Sequence, residues 1–317
     1  MMPADTQPEL LPSDPPALTM ESSFQAAIGA FEGHMEDEGF AVNTQKAFIS
    51  DLRLLGRYLG IGQPIGDIAT QNLNDFLNWL VNERGVPCSP KSYARRVTTL
   101  KVFFGWLHKT NVLLANPASI VIQISVRSPL PNPASAQEIE RALGVTAMWT
   151  SRGSKSGKAD ARPHLLLTLL LQTGIKKGEA MAIVPNHIDR TDPAEPFLFV
   201  RYKNPRMRYK ERKIALQSAW LETLDAYLAQ YQPSNTLFTC TARNLEYLLG
   251  DVAAAADIDA DKLSFRNLRW HSALSSYRAG IDETLIRQRL GLSEVTWRET
   301  GSKLEKLQQR ESEPESV

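Results

Sequence analysis

LSFRNLRWHSALSSYRAGIDETLIRQRLGLSEVTWRETGSKL, residues Leu263 to Leu304, places apolar side chains at helical spacing in two consecutive runs. The first runs through Leu268, Ala273, Leu274, Tyr277 and Ala279, the second through Ile281, Leu285, Ile286 and Leu290. Gly280 and Gly291 stop the two runs, as glycine does where a chain must turn left-handed. Arg266, Arg269, Arg278, Arg287, Arg289 and Arg298 are spread along them. For any one of these arginines a solvated helix face is an adequate explanation. Together they also suit a polyanion.

The segments just upstream favour the polyanion. His164 to Gln172 is apolar almost all round, which predicts a buried helix ending at Thr173-Gly174. Ile175-Lys176-Lys177-Gly178-Glu179 follows directly. Phe197 to Val200 and Arg212 to Leu216 alternate like paired strands. Between them, from Arg201 to Lys213, seven Lys or Arg face a single Glu, too dense a cluster for an ordinary turn. Residues 218–232 and 242–256 predict two more helices. Ser135 and Glu138 are spaced as a capping box, and Ser151 to Ala161 reads as a flexible insertion.

Toward the N-terminus the pattern is purely helical. Phe24, Ile28 and Phe31 mark a first helix, and Phe48, Leu52, Leu55 and Leu59 a second over Thr44 to Gly60. Phe76, Leu77 and Leu80 mark a third over Leu73 to Glu83. Ser89-Pro90, cap and first turn, opens a fourth that reaches Lys109. This last helix carries Lys91, Arg95, Arg96, Lys101 and Lys109 and no acid, opposite a stripe of Val97, Leu100, Phe103, Phe104 and Leu107. Such a helix suits docking against phosphates, with a merely solvated face as its alternative. Pro129 to Pro133 (PLPNP) reads as an extended linker.

A chain of 317 residues is long enough for two cores. The expected division is a proline-rich disordered leader (1–20), a four-helix domain (21–117), a linker (118–133), a mixed domain (134–305) and an acidic tail (306–317). The formal net charge of +1 understates the body. Residues 1–21 and 311–317 hold seven of the 35 acids and no Lys or Arg, leaving 36 basic against 28 acidic residues between them. Cys88 and Cys240 lack metal-ligand spacing, so buried thiols in a reducing compartment are expected and no metal or cofactor. No apolar run approaches the roughly 18 residues that span a bilayer, and the N-terminus has no basic start or apolar core. The expected location is the cytoplasm, with the nucleoid.

The order of these pieces resembles the tyrosine recombinases, the phage-integrase and Xer-like family. Leu268-Arg269 and Leu290-Gly291 fit its C-terminal signature, Glu179 fits its Thr-Gly-Leu-Arg-x-x-Glu motif, and the four helices fit its N-terminal core-binding (SAM-like) domain. The resemblance implies a mostly α fold with a small β-sheet: a four-helix core-binding domain, then an α+β tyrosine-recombinase-like domain. It also implies that the second and fourth helices lie on DNA, and that the C-terminal helix from Ser302 packs on a neighbouring protomer.

At the reactive positions the chain departs from the family. Lys176 stands where the family has its first catalytic Arg, Arg266 where it has His or Lys, and Leu292 where it has His or Trp. Gly301 stands where the nucleophilic Tyr belongs. Lys203 is the best match for the family's hairpin Lys. The family's route forms a 3′-phosphotyrosyl ester and needs planar donors on the phosphate oxygens and an acid for the leaving oxygen. Lys176 supplies charge without the guanidinium fork, Arg266 cannot exchange protons near neutral pH, and Leu292 donates nothing.

The expectation is therefore a vestigial pocket of Lys176, Glu179, Lys203, Arg266 and Arg269 that grips phosphate without cleaving. DNA contacts are expected from Lys46, Lys91, Arg95, Arg96, Lys101, Lys176, Lys203, Arg206, Arg208, Arg266 and Arg269. Double-stranded DNA is the expected partner, with an active tyrosine recombinase or a second copy beside it. The role is that of an accessory, architectural or regulatory subunit in recombination of a mobile element. Two alternatives stand beside it: an active recombinase whose Tyr comes from a partner, and a protein-interaction module without DNA binding.

Overall fold

A computed structural model describes residues 18–121, 129–152 and 157–312. The chain divides into two units, residues 1–129 and 130–317. Residues 1–17, most of the expected leader, lie outside the described residues, as do parts of the expected linker (122–128), insertion (153–156) and tail (313–317).

The first unit is built from α1 (Phe24–Asp37), α2 (Val42–Leu59), α3 (Thr70–Asn82) and α4 (Pro90–Lys109). Ser23 and Ser89 cap α1 and α4, each accepting a backbone N–H at 3.2 Å. The stripes read from the sequence form one core, in which Phe24, Phe31, Leu52, Leu55, Leu73, Phe103 and Phe104 are wholly buried. Phe31 and Phe103 meet edge to face with centroids 5.2 Å apart. Leu18 packs against this core, and so do the buried Ala118 and Val121. The folded unit therefore reaches beyond residues 21–117 at both ends.

The second unit is mostly helical with a small sheet. It comprises α5 (Ala136–Arg152), α6 (Arg162–Thr173), the short α7 (Lys177–Met181), three strands, then α8 (Trp220–Tyr231), α9 (Ala242–Ala255), α10 (Phe265–Arg278), α11 (Glu283–Leu290) and α12 (Glu294–Ser312). The strands β1 (Ile188–Asp189), β2 (Phe197–Val200) and β3 (Arg212–Ala215) pair antiparallel in that order, with Phe197 opposite Ala215 and Val200 opposite Arg212. The capping box at α5 forms as expected: Glu138 N–H donates to Ser135 Oγ, and Ser135 N–H donates to the Glu138 carboxylate at 2.7 Å. Helix α6 runs through the core with Leu165, Leu166, Leu167, Leu169 and Leu170 all buried, as a helix apolar on every side must be.

A separate small cluster joins α10, α11 and α12: Ala273, Leu274, Ile286, Leu290, Leu304 and Leu307. Leu304 and Leu307 are thus buried within this chain, in one helix that runs unbroken through Gly301. The sequence places an acidic tail from 306. The structure instead folds this segment back on α10 and α11.

Candidate functional site

Two helix ends and one strand converge on the motif residues. Helix α6 stops at Gly174, whose φ of 59° is left-handed; a Cβ there would stand 2.8 Å from Leu290 Cδ2. Helix α11 stops at Gly291, also at φ 59°, where a Cβ would stand 2.8 Å from Arg212 Nη1. Both positions need glycine for conformation and for space. Two stretches that the sequence shows 117 residues apart thereby approach each other, with β3 alongside.

Arg269 bridges the two helix ends. Its guanidinium donates to the Gly174 carbonyl and, at 2.5 Å, to the Leu290 carbonyl. Arg212 donates from Nε to the Arg289 carbonyl at 2.6 Å. The last carbonyls of α11 lack helical partners and carry the negative end of its dipole, so two arginines there are favourable. Burial, resisted by the charge of Glu179, brings the Arg269 guanidinium down to about 10, so it remains charged at neutral pH.

Glu179, 5% exposed, sits at the centre. Arg212 grips it with both ends of its fork, Nη2 to Oε2 at 2.8 Å and Nη1 to Oε1 at 3.2 Å. The Lys176 backbone N–H donates to Oε2 at 2.9 Å, and the Tyr202 hydroxyl donates to Oε1. Burial alone would raise this acid, but the Arg212 hydrogen bonds and charge outweigh it and hold Glu179 down at about 2. The Tyr202 phenol moves the other way, to about 12, through burial and its bond to the carboxylate. Lys176 Nζ stands 3.9 Å from Glu179. Burial lowers this ammonium, Glu179 resists, and Arg269, Arg212 and Lys210 add to the lowering.

The structure therefore brings together Lys176, Glu179 and Arg269 from the expected pocket. Arg266 is exposed one turn before Arg269 on α10, and Lys203 is exposed on the β2–β3 connection. Within that connection a 3-10 turn, Pro205–Lys210, carries Lys210 rather than Lys203 to the cleft lined by Lys176. Leu292 lines the same cleft and leans on the α10–α12 cluster. A Cβ at Gly301 would meet Trp297 at 3.5 Å and Glu283 at 3.9 Å. Arg212 is the participant not anticipated. Strand alternation held its signal, because Arg212 shares the face of buried Ile214.

In the first unit, Lys46 and Lys91 are exposed and Lys101 is half-buried. Arg95 and Arg96 have local employment. Arg95 pairs with Asp51 at 2.9 Å and donates to the Ala47 carbonyl at 3.2 Å. The Arg96 side chain is 12% exposed, with Nε 3.4 Å from Asp51 and Nη1 donating to Cys88 Sγ at 2.8 Å. The charge of α4 is thus partly compensated, by an acid from α2. Arg206 and Arg208 are exposed on the β2–β3 connection. No group of metal-ligating side chains occurs among the described residues, and no described helix is long and apolar enough to cross a membrane.

Comparison with known proteins agrees with this architecture. Residues 28–112 match the family model of the phage integrase N-terminal SAM-like domain. The chain is 25% identical over 284 residues to the tyrosine recombinase XerD of Rhizobium meliloti, covering 86% of this chain and 88% of that protein. It is 28% identical over 194 residues to XerD of Agrobacterium fabrum, a match spanning 61% of this chain and 56% of the relative. Among solved structures, the Tn1549 transposon integrase in complex with a circular intermediate DNA superposes with a TM-score of 0.68 at 14% identity, covering 90% of this chain and 99% of that one. A lambda integrase dimer bound to a core site gives 0.64 at 17% identity, covering 88% and 77%. The chain has the two-unit architecture of an integrase, a SAM-like helical domain followed by an integrase-like domain. In fold and in sequence the chain is thus similar to tyrosine recombinases and phage integrases, Xer-like members among them.

Proposed function

We propose that this protein binds double-stranded DNA as an accessory, architectural or regulatory subunit of a recombination system and does not itself break strands. The observation that carries the reading is a cluster of phosphate-suited cations beside which every nearby phenol is unsuited to attack. Lys176, Lys210 and Arg212 line one cleft, while residue 301 is glycine within an unbroken helix. The Tyr202 hydroxyl is given to Glu179 and raised to about 12, which opposes formation of a phenolate. Tyr209 is 77% exposed, and no hydrogen bond joins its hydroxyl to a base among the described residues. Leu292 offers no donor to a leaving oxygen. Binding needs only charge and placed donors, which Lys176, Arg206, Arg208, Lys46 and Lys91 supply.

The relatives named XerD and the DNA-bound integrases make DNA the favoured polyanion. The test is a gel shift with short duplexes across a salt series, run beside a suicide substrate that traps covalent ester. Retarded DNA with a steep salt slope and no trapped ester is expected. A protein–DNA ester formed by this chain alone would overturn the inactivity, and binding indifferent to salt would overturn the DNA reading.

A further inference from the structure

We propose that the cleft between the β2–β3 connection and α11 receives an unpaired nucleotide of a DNA strand, with Tyr209 stacking on its base. This rests on the DNA-binding reading and specifies the form of DNA preferred. The cleft encloses about 1080 Å³. Lys176, Lys210, Arg212, Lys213, Arg287 and Arg289 line it against the single acid Glu211, so its charge is positive. Ile281 and Leu285 line the same space and are 41% and 59% exposed, and Leu292 joins them.

A backbone phosphate on an intact duplex calls for cations alone and gains nothing from an apolar recess. An extruded nucleotide has both an anionic phosphate and a flat, largely apolar base, so it matches both kinds of lining. Tyr209 supplies the third element. Its ring lines the cleft while 77% exposed, and the Lys210 ammonium lies 5.2 Å from its centroid, on the same 3-10 turn. An exposed ring among cations is the arrangement on which single-stranded bases stack. Leu292, where the family has His or Trp, presents no polar group to this recess.

The experiment compares an intact duplex with the same duplex carrying a one-nucleotide bulge, by fluorescence anisotropy on the full chain. The bulged DNA should bind about tenfold more tightly, the size of one base–aromatic stack. Tyr209→Ala should bring the bulged DNA to within about twofold of the intact duplex, whose affinity should barely change, and Tyr209→Phe should keep the preference. Equal binding of both DNAs by the unaltered protein would overturn the proposal, as would an equal loss on both in Tyr209→Ala. Binding that an acidic peptide competes away from the bulge no less readily than bulged DNA does would also overturn it. Failure to bind either DNA would sink the DNA reading as well, whereas intact-duplex binding without a bulge preference sinks only this inference.

Discussion

Each unit buries one carboxylate beside arginines, and the two carboxylates respond in opposite directions. Asp51 on α2 is 4% exposed and Glu179 on α7 is 5% exposed, so burial penalises both. Asp51 meets its arginines through one oxygen: Arg95 at 2.9 Å and Arg96 Nε at 3.4 Å both approach Oδ1, while Thr99 donates to Oδ2 at 3.1 Å. Burial wins there, and Asp51 is raised above the usual range for aspartate. Glu179 receives a two-point grip from Arg212, a backbone N–H and a phenol, and it is lowered to about 2. Proximity of charge is common to both. What differs is that a guanidinium faces both oxygens of Glu179, with a backbone N–H and a phenol beside it, whereas arginine reaches only one oxygen of Asp51 and the other has a hydroxyl; that decides the sign.

The largest effect should come from breaking the better pair. Arg212→Met leaves Glu179 buried with Lys176 3.9 Å away as its nearest cation, and removing one member of a buried pair costs about 3–5 kcal/mol. It also frees the last carbonyls of α11. Asp51→Asn removes a charge that burial already disfavours, and should cost less than about 1.5 kcal/mol. Urea unfolding of the full chain, followed separately for each unit, measures both. Equal costs for the two variants would break the comparison.

Acid should separate the two sites next. The folded value of Glu179, about 2, lies below its unfolded value of 4.5. Its contribution is therefore present above about 4.5 and is lost as pH falls toward 2, on the order of 3 kcal/mol in all. Asp51 is shifted upward, so its protonation on acidification relieves a penalty. Unfolding of the second unit measured from pH 6 to 2.5 should show a steep loss of stability, and Glu179→Gln should flatten that loss while lowering the plateau at pH 6. A pH profile unchanged by Glu179→Gln would show that other groups govern the acid transition.

Much of the fold was written in periodicity and much of the site was not. Most helices of both units, the Ser135–Glu138 box and the β2–β3 pair follow from apolar spacing and cap chemistry, which are local; the five-residue α7 does not. The two-residue β1 is too short to show alternation. Helix α12 was understated because Leu304 and Leu307 anchor it with few apolar companions and Gly301 interrupts the pattern. Within the site, Lys176, Glu179 and Arg269 were legible from short motifs. Arg212 was not, since its partners lie 33 and 77 residues away along the chain. Lys210 replaces Lys203 at the cleft because a 3-10 turn intervenes, and its register cannot be counted from the strand. Arg95 and Arg96 looked uncompensated for a related reason. Asp51 lies on the same face as Phe48 and Leu55, and an acid in an apolar stripe is itself a sign of a cation arriving from elsewhere.

That last contrast yields the smallest effect and the sharpest sorting of cations. Lys46 and Lys91 are exposed, so changing either to Ala should alter stability by less than about 0.5 kcal/mol. If each neutralises one phosphate, each loss should reduce the salt slope of DNA binding by about 0.9. Arg95→Met should behave oppositely, because this side chain is held by Asp51 and the Ala47 carbonyl. It should destabilise the first unit by about 1–2 kcal/mol while leaving the salt slope nearly unchanged. Anisotropy titrations from 50 to about 300 mM salt, paired with thermal unfolding, give both readouts on the same samples. A salt slope that falls more for Arg95→Met than for Lys46→Ala would move Arg95 from the interior network to the DNA face. Asp51 would then serve to aim the guanidinium outward rather than to hold α4 on α2.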